Sequence, residues 1–289
     1  MKYRRIGGRS VSAIGLGGMP MSIEGRPEDR SQSIATIHAA LDAGITLIDT
    51  ADAYHQHAGE VGHNEILIAE ALASYGPGAT DVLVATKGGQ LRPGDGSWTV
   101  NGQPQYLKQA ARESAKRLGV EALALYQLHR PDPAVPYADS VGALRDLLDA
   151  GVIRQAGISN VSIEQVDIAR DVLGDDLVSV QNQFSPLHLD SQPVLEYCTE
   201  RGLAFLPWSP LGGIRRASQL GATQSVLSEI AHARGVSPYQ VVLAWELSLA
   251  ENVVPIPGAS KAASIADDAL APDLDLDEAE IVRIENSLA

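Results

Sequence analysis

The stretch Ala43-Gly-Ile-Thr-Leu-Ile-Asp49 contains the pattern that decides the fold. Its first two residues are typical of a helix end, because glycine adopts the left-handed backbone that follows a last helical turn. The apolar run behind them has the length and composition of a buried β-strand, and it closes on a carboxylate. The same order recurs after Leu118-Gly119, Ala150-Gly151 and Arg201-Gly202. Alternating helices and strands predict a parallel sheet with helical crossovers.

Eight apolar runs are candidates for the strands of this sheet. They are residues 14–17, 45–49, 82–87, 123–129, 153–159, 177–181, 204–208 and 253–256. In front of them, two short β-prone runs flank Gly7-Gly-Arg-Ser10, a pattern typical of a β-hairpin. We therefore predict an α/β fold, a (β/α)8 TIM barrel with an N-terminal β-hairpin at one end. No change in composition divides the chain, so we predict a single barrel domain over residues 1–289.

Composition limits the class of protein. The 289 residues are 45% hydrophobic and 20% charged, as in soluble globular proteins with a sizeable core. The net charge is -14 without a cluster of Lys and Arg, so we expect no nucleic-acid partner and no membrane partner. The single Cys198 cannot form an internal disulfide, and no apolar stretch of signal-peptide type follows the N-terminus. We expect a cytoplasmic protein, and the sequence does not indicate its oligomeric state.

Four ionisable side chains lie at or just beyond the ends of three predicted strands: Asp49, Tyr54, Lys87 and His129. In a (β/α)8 barrel the C-terminal ends of the strands meet on one open face, so we expect one site. Tyrosine has an ordinary pKa near ~10, and Lys87 is the candidate ammonium that stabilises its phenolate, with Asp49 as counterion. His129 is placed to hydrogen-bond a substrate carbonyl or the tyrosine hydroxyl. The set suits reduction of a carbonyl group by an external hydride donor.

Six ordered motifs resemble the aldo-keto reductase family. In chain order they are Leu47-Ile-Asp-Thr-Ala-Asp-Ala-Tyr54, Ala85-Thr-Lys87, Leu128-His129, Gly157-Ile-Ser-Asn160, Gln181-Asn-Gln183 and Ile256-Pro-Gly-Ala-Ser260. The resemblance extends from the N-terminal hairpin to the last helix. It implies a (β/α)8 barrel that binds a nicotinamide cofactor, usually NADPH, without a Rossmann domain. In agreement, Gly15-Leu-Gly-Gly18 is not a GxGxxG motif that opens a helix, and no P-loop is present.

The resemblance also implies a role for each matched residue. Tyr54 is the expected general acid, Lys87 and Asp49 adjust its pKa, and His129 orients the substrate. Trp208 stands where the family commonly has a tyrosine stacked on the nicotinamide. The other expected cofactor contacts are Gly18, Met19, Ser159, Asn160, Gln181, Ser209, Leu211, Gly212, Gly258, Lys261, Ser264 and Asp268. The expected substrate contacts are Met19, His55 and Trp98.

The segment expected at the cofactor's 2'-phosphate departs from the family pattern. Lys261 is its one nearby cation, because Ser264 stands where many relatives have a second basic residue. Asp268 replaces the usual asparagine near the adenine. One ammonium favours a 2'-phosphate less than a bidentate arginine does. NADPH is the expected cofactor and NADH the alternative, with Arg215 and Arg216 as further candidate cations.

Two other functions are compatible with the same residues. Lys87 is suited to forming a Schiff base with a carbonyl substrate, as in a barrel aldolase or isomerase. The second alternative is a cofactor-sensing subunit without catalysis, since potassium-channel β-subunits resemble this family. The sequence does not identify the carbonyl compound, for which pyridoxal and other small aldehydes are candidates. Arg130, directly after His129, is expected to form a structural ion pair rather than to anchor a substrate.

Histidines and acids that follow Tyr54 invite a metal site. They are His55, His57, Glu60, His63 and Glu65. Their spacing is irregular and no H-E-x-x-H helix occurs, so we predict a polar loop beside the active site and no metal.

Overall fold

A computed structural model describes residues 1–213 and 225–288. Its strands are β1 (Tyr3–Ile6), β2 (Arg9–Ser12), β3 (Leu16–Gly17), β4 (Leu47–Asp49), β5 (Leu83–Gly88), β6 (Gln90–Leu91), β7 (Thr99–Val100), β8 (Leu125–Leu128), β9 (Ala156–Ser159), β10 (Leu177–Gln181) and β11 (Ala204–Phe205). Its α-helices are α1 (Arg30–Asp42), α2 (His63–Tyr75), α3 (Pro104–Leu118), α4 (Tyr137–Asp149), α5 (Ile163–Leu173), α6 (Gln192–Glu200), α7 (Ser225–Arg234), α8 (Pro238–Leu249), α9 (Ala262–Asp268) and α10 (Glu278–Leu288). Short 3-10 turns lie at Met19–Met21, Ala58–Glu60, Pro77–Ala79, Gly174–Asp176 and Ala271–Asp273.

Seven strands form one curled parallel sheet in the order β11, β10, β9, β8, β5, β4, β3. The segment 253–258 closes the ring through isolated parallel bridges to both edges, from Val253 to Phe205, from Ile256 to Trp208 and from Gly258 to Gly17. The α/β fold of TIM-barrel type is therefore confirmed. The eighth predicted strand is present only as bridges, because prolines at positions 255 and 257 have no N–H to donate to a ladder.

The N-terminal hairpin packs into one end of the barrel. Strands β1 and β2 pair with Tyr3 opposite Ser12 and Ile6 opposite Arg9. The side chains of Ile6 and Val11 are buried among inward residues of the barrel strands. The second strand begins earlier than predicted, because the turn is confined to Gly7-Gly8. Gly7 has φ of +53°, which permits the tight reversal.

The helix ends follow the predicted chemistry. Gly44, Gly119, Gly151 and Gly202 all have positive φ, of 85°, 68°, 68° and 66° respectively. This confirms the helix, glycine, strand pattern on which the fold prediction depends. In residues 1–213 and 225–288, no helix is long and apolar enough to cross a membrane.

Candidate active site

The C-terminal ends of the barrel strands open into a cavity of about 630 Å³. Three of the four predicted catalytic residues, Asp49, Tyr54 and His129, lie on its wall. The fourth, Lys87, is fully buried directly behind them. The structure thus places in one site the four side chains that the strand ends indicated.

Lys87 is the centre of the hydrogen-bond network. Its Nζ donates to Asp49 Oδ2 at 2.5 Å, to the Thr50 carbonyl oxygen at 2.9 Å and to Tyr54 Oη at 3.0 Å. An ammonium has three protons, so this set uses all of them. Since Tyr54 Oη accepts from Lys87, its own proton is available for another acceptor.

Asp49 is held by more than the ion pair. Its Oδ1 accepts from Gln181 Nε2 at 2.8 Å and from Gln127 Nε2 at 3.3 Å. Gln127, which lies inside β8, was not among the predicted site residues. The sequence does contain a pattern that points to it: a polar side chain in a buried strand, two positions before His129 and therefore on the same face.

Burial determines the protonation states of the site. It raises the pKa of Tyr54 above its usual value, although Lys87 acts in the opposite direction and Asp49 adds to the rise. Lys87 therefore acts on the pKa of Tyr54 in the direction that the sequence analysis expected, but burial outweighs it in the free protein. Burial lowers the pKa of Lys87, but Asp49 and Tyr54 outweigh burial and leave that pKa above its usual value. Tyr54 is a protonated phenol and Lys87 a charged ammonium at neutral pH.

His129 faces Tyr54 edge to face. The two ring centroids are 5.7 Å apart with an interplanar angle of 82°. The pKa of His129 lies well below its usual value, first because the ring is buried and then because Lys87 and Arg130 disfavour the imidazolium charge. Its Nδ1 is buried and has no hydrogen-bond partner in the part of the chain that the structure describes. The neutral imidazole keeps one N–H donor and one acceptor nitrogen.

A second wall of the cavity is polar and rigid. Asn160 Nδ2 donates to the His129 carbonyl oxygen at 3.0 Å, and Asn160 Oδ1 accepts from Trp208 Nε1 at 3.2 Å. Ser159 Oγ donates to the Gln181 carbonyl oxygen at 2.6 Å. Asn160 and Ser209 have positive φ values of 60° and 53°, a backbone conformation that residues other than glycine rarely adopt. Such strain is typical of functional sites.

The predicted cofactor residues divide into three groups. On the cavity wall lie Met19, Ser159, Asn160, Gln181, Trp208, Ser209, Leu211 and Gly258, with Gly18 and Gly212 next to them in the chain. Outside it lie Lys261 and Ser264, which are exposed around the start of α9, and Asp268, which is buried at the helix end. Burial, with a contribution from Asp267, raises the pKa of Asp268 to about 7. Arg215 and Arg216 fall outside the described residues.

Two of the three predicted substrate residues, Met19 and Trp98, lie on the cavity wall. His55 does not: it is buried, and its Nδ1 bonds the His57 carbonyl oxygen at 2.8 Å. The Trp98 ring lies 4.4 Å from Cζ of Arg92. Arg92 in turn forms a two-point ion pair with Glu24, a clamp that the sequence analysis missed.

The histidines and acids after Tyr54 are not arranged around a common point. Glu60 accepts from both Arg26 nitrogens, at 2.9 and 3.0 Å, and Glu65 pairs with Arg117. Within residues 1–213 and 225–288, no three His, Cys, Asp or Glu side chains are grouped so that they could hold a metal ion.

The sequence profile of the Aldo/keto reductase family matches residues 13–289. This chain belongs to the aldo/keto reductase family. It is 34% identical over 277 residues to 6-dehydroglucose reductase from Novosphingobium aromaticivorans, covering 92% of this chain and 89% of the relative. It is 32% identical over 282 residues to pyridoxine 4-dehydrogenase from Escherichia coli, covering 94% of this chain and 93% of the relative. An aldo/keto reductase from Klebsiella pneumoniae, solved with NADP and acetate, has a TM-score of 0.82 and 26% identity and covers 99% of this chain and 94% of its own.

The polar wall fits the nicotinamide cofactor expected of an aldo/keto reductase. A carboxamide needs both donors and acceptors, and Ser159, Asn160 and Gln181 present hydroxyl and amide groups of both kinds. Gln181 Nε2 is committed to Asp49, which fixes the orientation of the amide and leaves Gln181 Oε1 as an acceptor. The half-buried indole of Trp208 provides a flat face beside this wall.

Proposed function

We propose that this aldo/keto reductase reduces an aldehyde or ketone to an alcohol, with NADPH as cofactor and Tyr54 as general acid. The observation that carries the proposal is the hydrogen bond from Lys87 Nζ to Tyr54 Oη at 3.0 Å. Because Lys87 is the donor, the phenolic proton points elsewhere. Because burial keeps the pKa of Tyr54 above its usual value, that proton is present at neutral pH.

Each side chain has a separate task in the proton transfer. A bound nicotinamide cofactor would supply the hydride for the carbonyl carbon. Tyr54 donates its proton to the carbonyl oxygen, and the charge of Lys87 stabilises the phenolate that remains. Asp49 balances Lys87 and is itself fixed by Gln127 and Gln181. His129, which is a neutral imidazole because burial lowers its pKa, donates a hydrogen bond to the carbonyl oxygen and does not compete with Tyr54 as the acid.

The proposed cofactor site extends away from Tyr54 along the polar wall. Ser159, Asn160 and Gln181 would hold the carboxamide, and the indole of Trp208 would offer its flat face to the nicotinamide. Ser209, Leu211 and Gly212 follow as the pyrophosphate loop, with Gly18, Met19 and Gly258 beside them. Lys261 would supply the charge for a 2'-phosphate, with Ser264 and Asp268 on helix α9, which begins directly after it. Solved relatives in complex with NADP and NADPH support this preference, and parallel titrations with NADPH and NADH test it.

The Schiff-base alternative is less compatible with the structure. A lysine nucleophile must lose its proton, and it is activated by a lowered pKa. Lys87 has the opposite shift, and its three protons are all engaged. Borohydride in the presence of a carbonyl substrate is therefore expected to leave Lys87 unmodified.

The substitution Tyr54→Phe tests the proposed acid. It removes the phenolic proton while retaining the ring, so we expect kcat for carbonyl reduction to fall about 10²- to 10⁴-fold. NADPH binding, followed by quenching of protein fluorescence, should change little. The matched control is Tyr75→Phe, which removes a hydroxyl that bonds Asp42 on the barrel surface. Unchanged NADPH oxidation by the Tyr54→Phe enzyme would show that another group is the acid.

A further inference from the structure

Arg130 is a cation on the cavity wall that has no counterion among the described residues. It is exposed, and it lines the same cavity as Tyr54 and His129. Among the described residues on that wall, the other charged side chain is Asp49, which Lys87 neutralises. Arg130 makes no ion pair and no hydrogen bond within the described chain, so the expectation of a structural ion pair is wrong.

The acid that follows Arg130 in the chain is committed to other groups. Asp132, two residues further on, accepts from the backbone N–H of Gly102 at 2.8 Å and from that of Ala134 at 2.9 Å. Arginines in the neighbouring loops do find partners: Arg26 pairs with Glu60, and Arg92 with Glu24. Of these three arginines, Arg130 is the one that has no partner among the described residues, although it lies on the cavity wall.

The loop that carries Arg130 is fixed in place. The residue that follows is a proline, which restricts the backbone of Arg130 to extended conformations. The His129 N–H donates to the Gly88 carbonyl oxygen at 2.9 Å, and the His129 carbonyl oxygen accepts from Asn160. The guanidinium lies close enough to the imidazole to contribute to the lowered pKa of His129. A group bound to Arg130 is therefore beside the carbonyl that His129 and Tyr54 would hold.

The position of Arg130 in the ring indicates which ligand it meets. It follows β8, whose neighbours are β5, which carries Lys87, and β9. The proposed cofactor contacts continue in the other direction, through β9, β10 and β11 to Gly258. On the β5 side, Trp98 and Val100 from the β6–β7 loop complete the wall. Arg130 therefore belongs to the substrate end of the cavity.

We propose that the substrate is a carbonyl compound with an oxyanion group, a carboxylate or a phosphate, that binds Arg130. This inference rests on the proposed carbonyl reduction and specifies its substrate class. A guanidinium matches either anion with two parallel hydrogen bonds, and an unpaired one gains most from such a partner. The apolar Met19, Trp98 and Val100 would contact the body of the substrate between its two polar ends.

The test compares pairs of related aldehydes in which one member carries an anionic group and the other is neutral. The probes are 4-carboxybenzaldehyde against its methyl ester, and glyceraldehyde 3-phosphate against glyceraldehyde. The wild-type enzyme is expected to show kcat/KM about 10- to 100-fold higher for the anionic member of at least one pair, and the pair that responds identifies carboxylate or phosphate. Added salt should reduce this preference, because the guanidinium is exposed.

Arg130→Gln is expected to reduce the ratio of the two kcat/KM values by about tenfold or more, mainly through KM. Arg130→Lys should restore part of the ratio, since it keeps the charge without the planar fork. The matched control is Arg154→Gln. Arg154 is exposed at the opposite end of the barrel, where its N–H bonds the Leu123 carbonyl oxygen, so this variant makes the same change in net charge.

Three outcomes would overturn the inference. The first is a wild-type kcat/KM that is about equal for the anionic and the neutral aldehyde of each pair. The second is a ratio of these two kcat/KM values that is the same in wild type and in Arg130→Gln. The third is a loss of NADPH affinity in Arg130→Gln with the ratio retained, which would assign Arg130 to the cofactor. Reduction of neutral aldehydes would persist in all three, so the proposed function would stand. Failure to reduce any aldehyde, charged or neutral, would contradict the proposed function itself and the inference with it.

Discussion

In the hydrogen bond between Lys87 and Tyr54, Lys87 is the donor, and this determines which of the two groups can donate a proton to the substrate. All three protons of Lys87 are engaged in hydrogen bonds, whereas the phenolic proton of Tyr54 is available to a substrate. The strand ends predicted the four residues of this site, because a strand that closes on an ionisable group is visible in the sequence. The direction of the Tyr54 pKa was not predictable, because burial and an attractive ammonium oppose each other and only coordinates show which is larger.

The protonation state of Tyr54 makes a prediction about pH. The raised pKa means that the acid form persists beyond neutral pH, so kcat/KM for carbonyl reduction should be flat from about pH 6 to 9 and fall only above the ordinary tyrosine pKa of ~10. Alcohol oxidation needs the phenolate and should instead rise with pH across the same range. Initial rates in both directions, in buffers of constant ionic strength, measure the two profiles. A reduction rate that falls steadily between pH 6 and 8 would contradict the assignment of a raised pKa.

A second buried acid lies on the loop that leads to Tyr54. Asp52 is 2% exposed, and its Oδ1 has no hydrogen-bond partner within residues 1–213 and 225–288. Burial, with repulsion from Glu65, raises the pKa of Asp52 from 3.8 to about 8. Glu65 keeps its charge partner, since Arg117 Nε donates to it at 2.5 Å. The folded protein therefore holds a proton on Asp52 at neutral pH that the unfolded chain releases.

This difference in proton binding predicts a pH-dependent stability. Between about pH 4 and 8 the folded state binds one more proton than the unfolded state, so the free energy of unfolding should fall as pH rises, by at most about 1.4 kcal/mol per unit from this group. Asp52→Asn cannot ionise and should lose that contribution. Urea unfolding at pH 5, 6.5 and 8 measures the difference between wild type and variant. Parallel pH dependences would show that Asp52 is ionised in the folded protein.

At the scale of elements, the substrate end of the cavity depends on a loop clamp. Glu24, in the loop after β3, pairs with the buried guanidinium of Arg92, which supports the ring of Trp98 on the β6–β7 loop. The sequence predicted a long polar loop here with Trp98 near the substrate. It did not predict the clamp, since Glu24 and Arg92 are far apart in the chain and neither belongs to a motif.

The clamp predicts the effect of Glu24→Gln. The loss of one charge leaves Arg92 buried without a full counterion, so residues 90–100 should exchange backbone hydrogens faster. KM for aldehydes should rise roughly fivefold, equivalent to about 1 kcal/mol, because Glu24 is partly exposed. Hydrogen–deuterium exchange and steady-state kinetics measure the two effects. The control is Glu28→Gln, at an exposed position of the same loop where the described residues offer no bonded partner. Equal behaviour of both variants would argue against the clamp.

At the scale of the whole molecule, the barrel closes along a narrow seam, where residues 15–17 meet residues 255–258. The N–H groups of Gly15 and Gly17 donate to the carbonyl oxygens of Pro255 and Pro257 at 2.9 and 2.8 Å. The eightfold alternation was predictable from the helix, glycine, strand pattern. The short pairing at the seam was not predictable from the sequence, because it depends on how the two edge strands of the ring meet. A single domain over residues 1–289 stays a prediction.

The seam predicts that Gly17→Ala destabilises the protein. A Cβ at Gly17 would lie 2.8 Å from the Ile256 carbonyl oxygen and 3.2 Å from Gly258 Cα, so backbone would have to move. We expect a loss of about 1–3 kcal/mol, measured by urea unfolding. Gly8→Ala places a methyl group in open space in the hairpin turn and is the matched control. A loss no larger than that of the control would mean that the seam tolerates widening.

The most direct test of the central claim is the hydride-transfer step itself, followed in a single turnover of enzyme-bound NADPH with a saturating aldehyde. If Tyr54 gives its proton to the carbonyl oxygen, the wild-type step should slow in deuterium oxide. The same step in Tyr54→Phe should be about 10²- to 10⁴-fold slower, with NADPH still bound. An equally fast step in the two proteins would contradict the account.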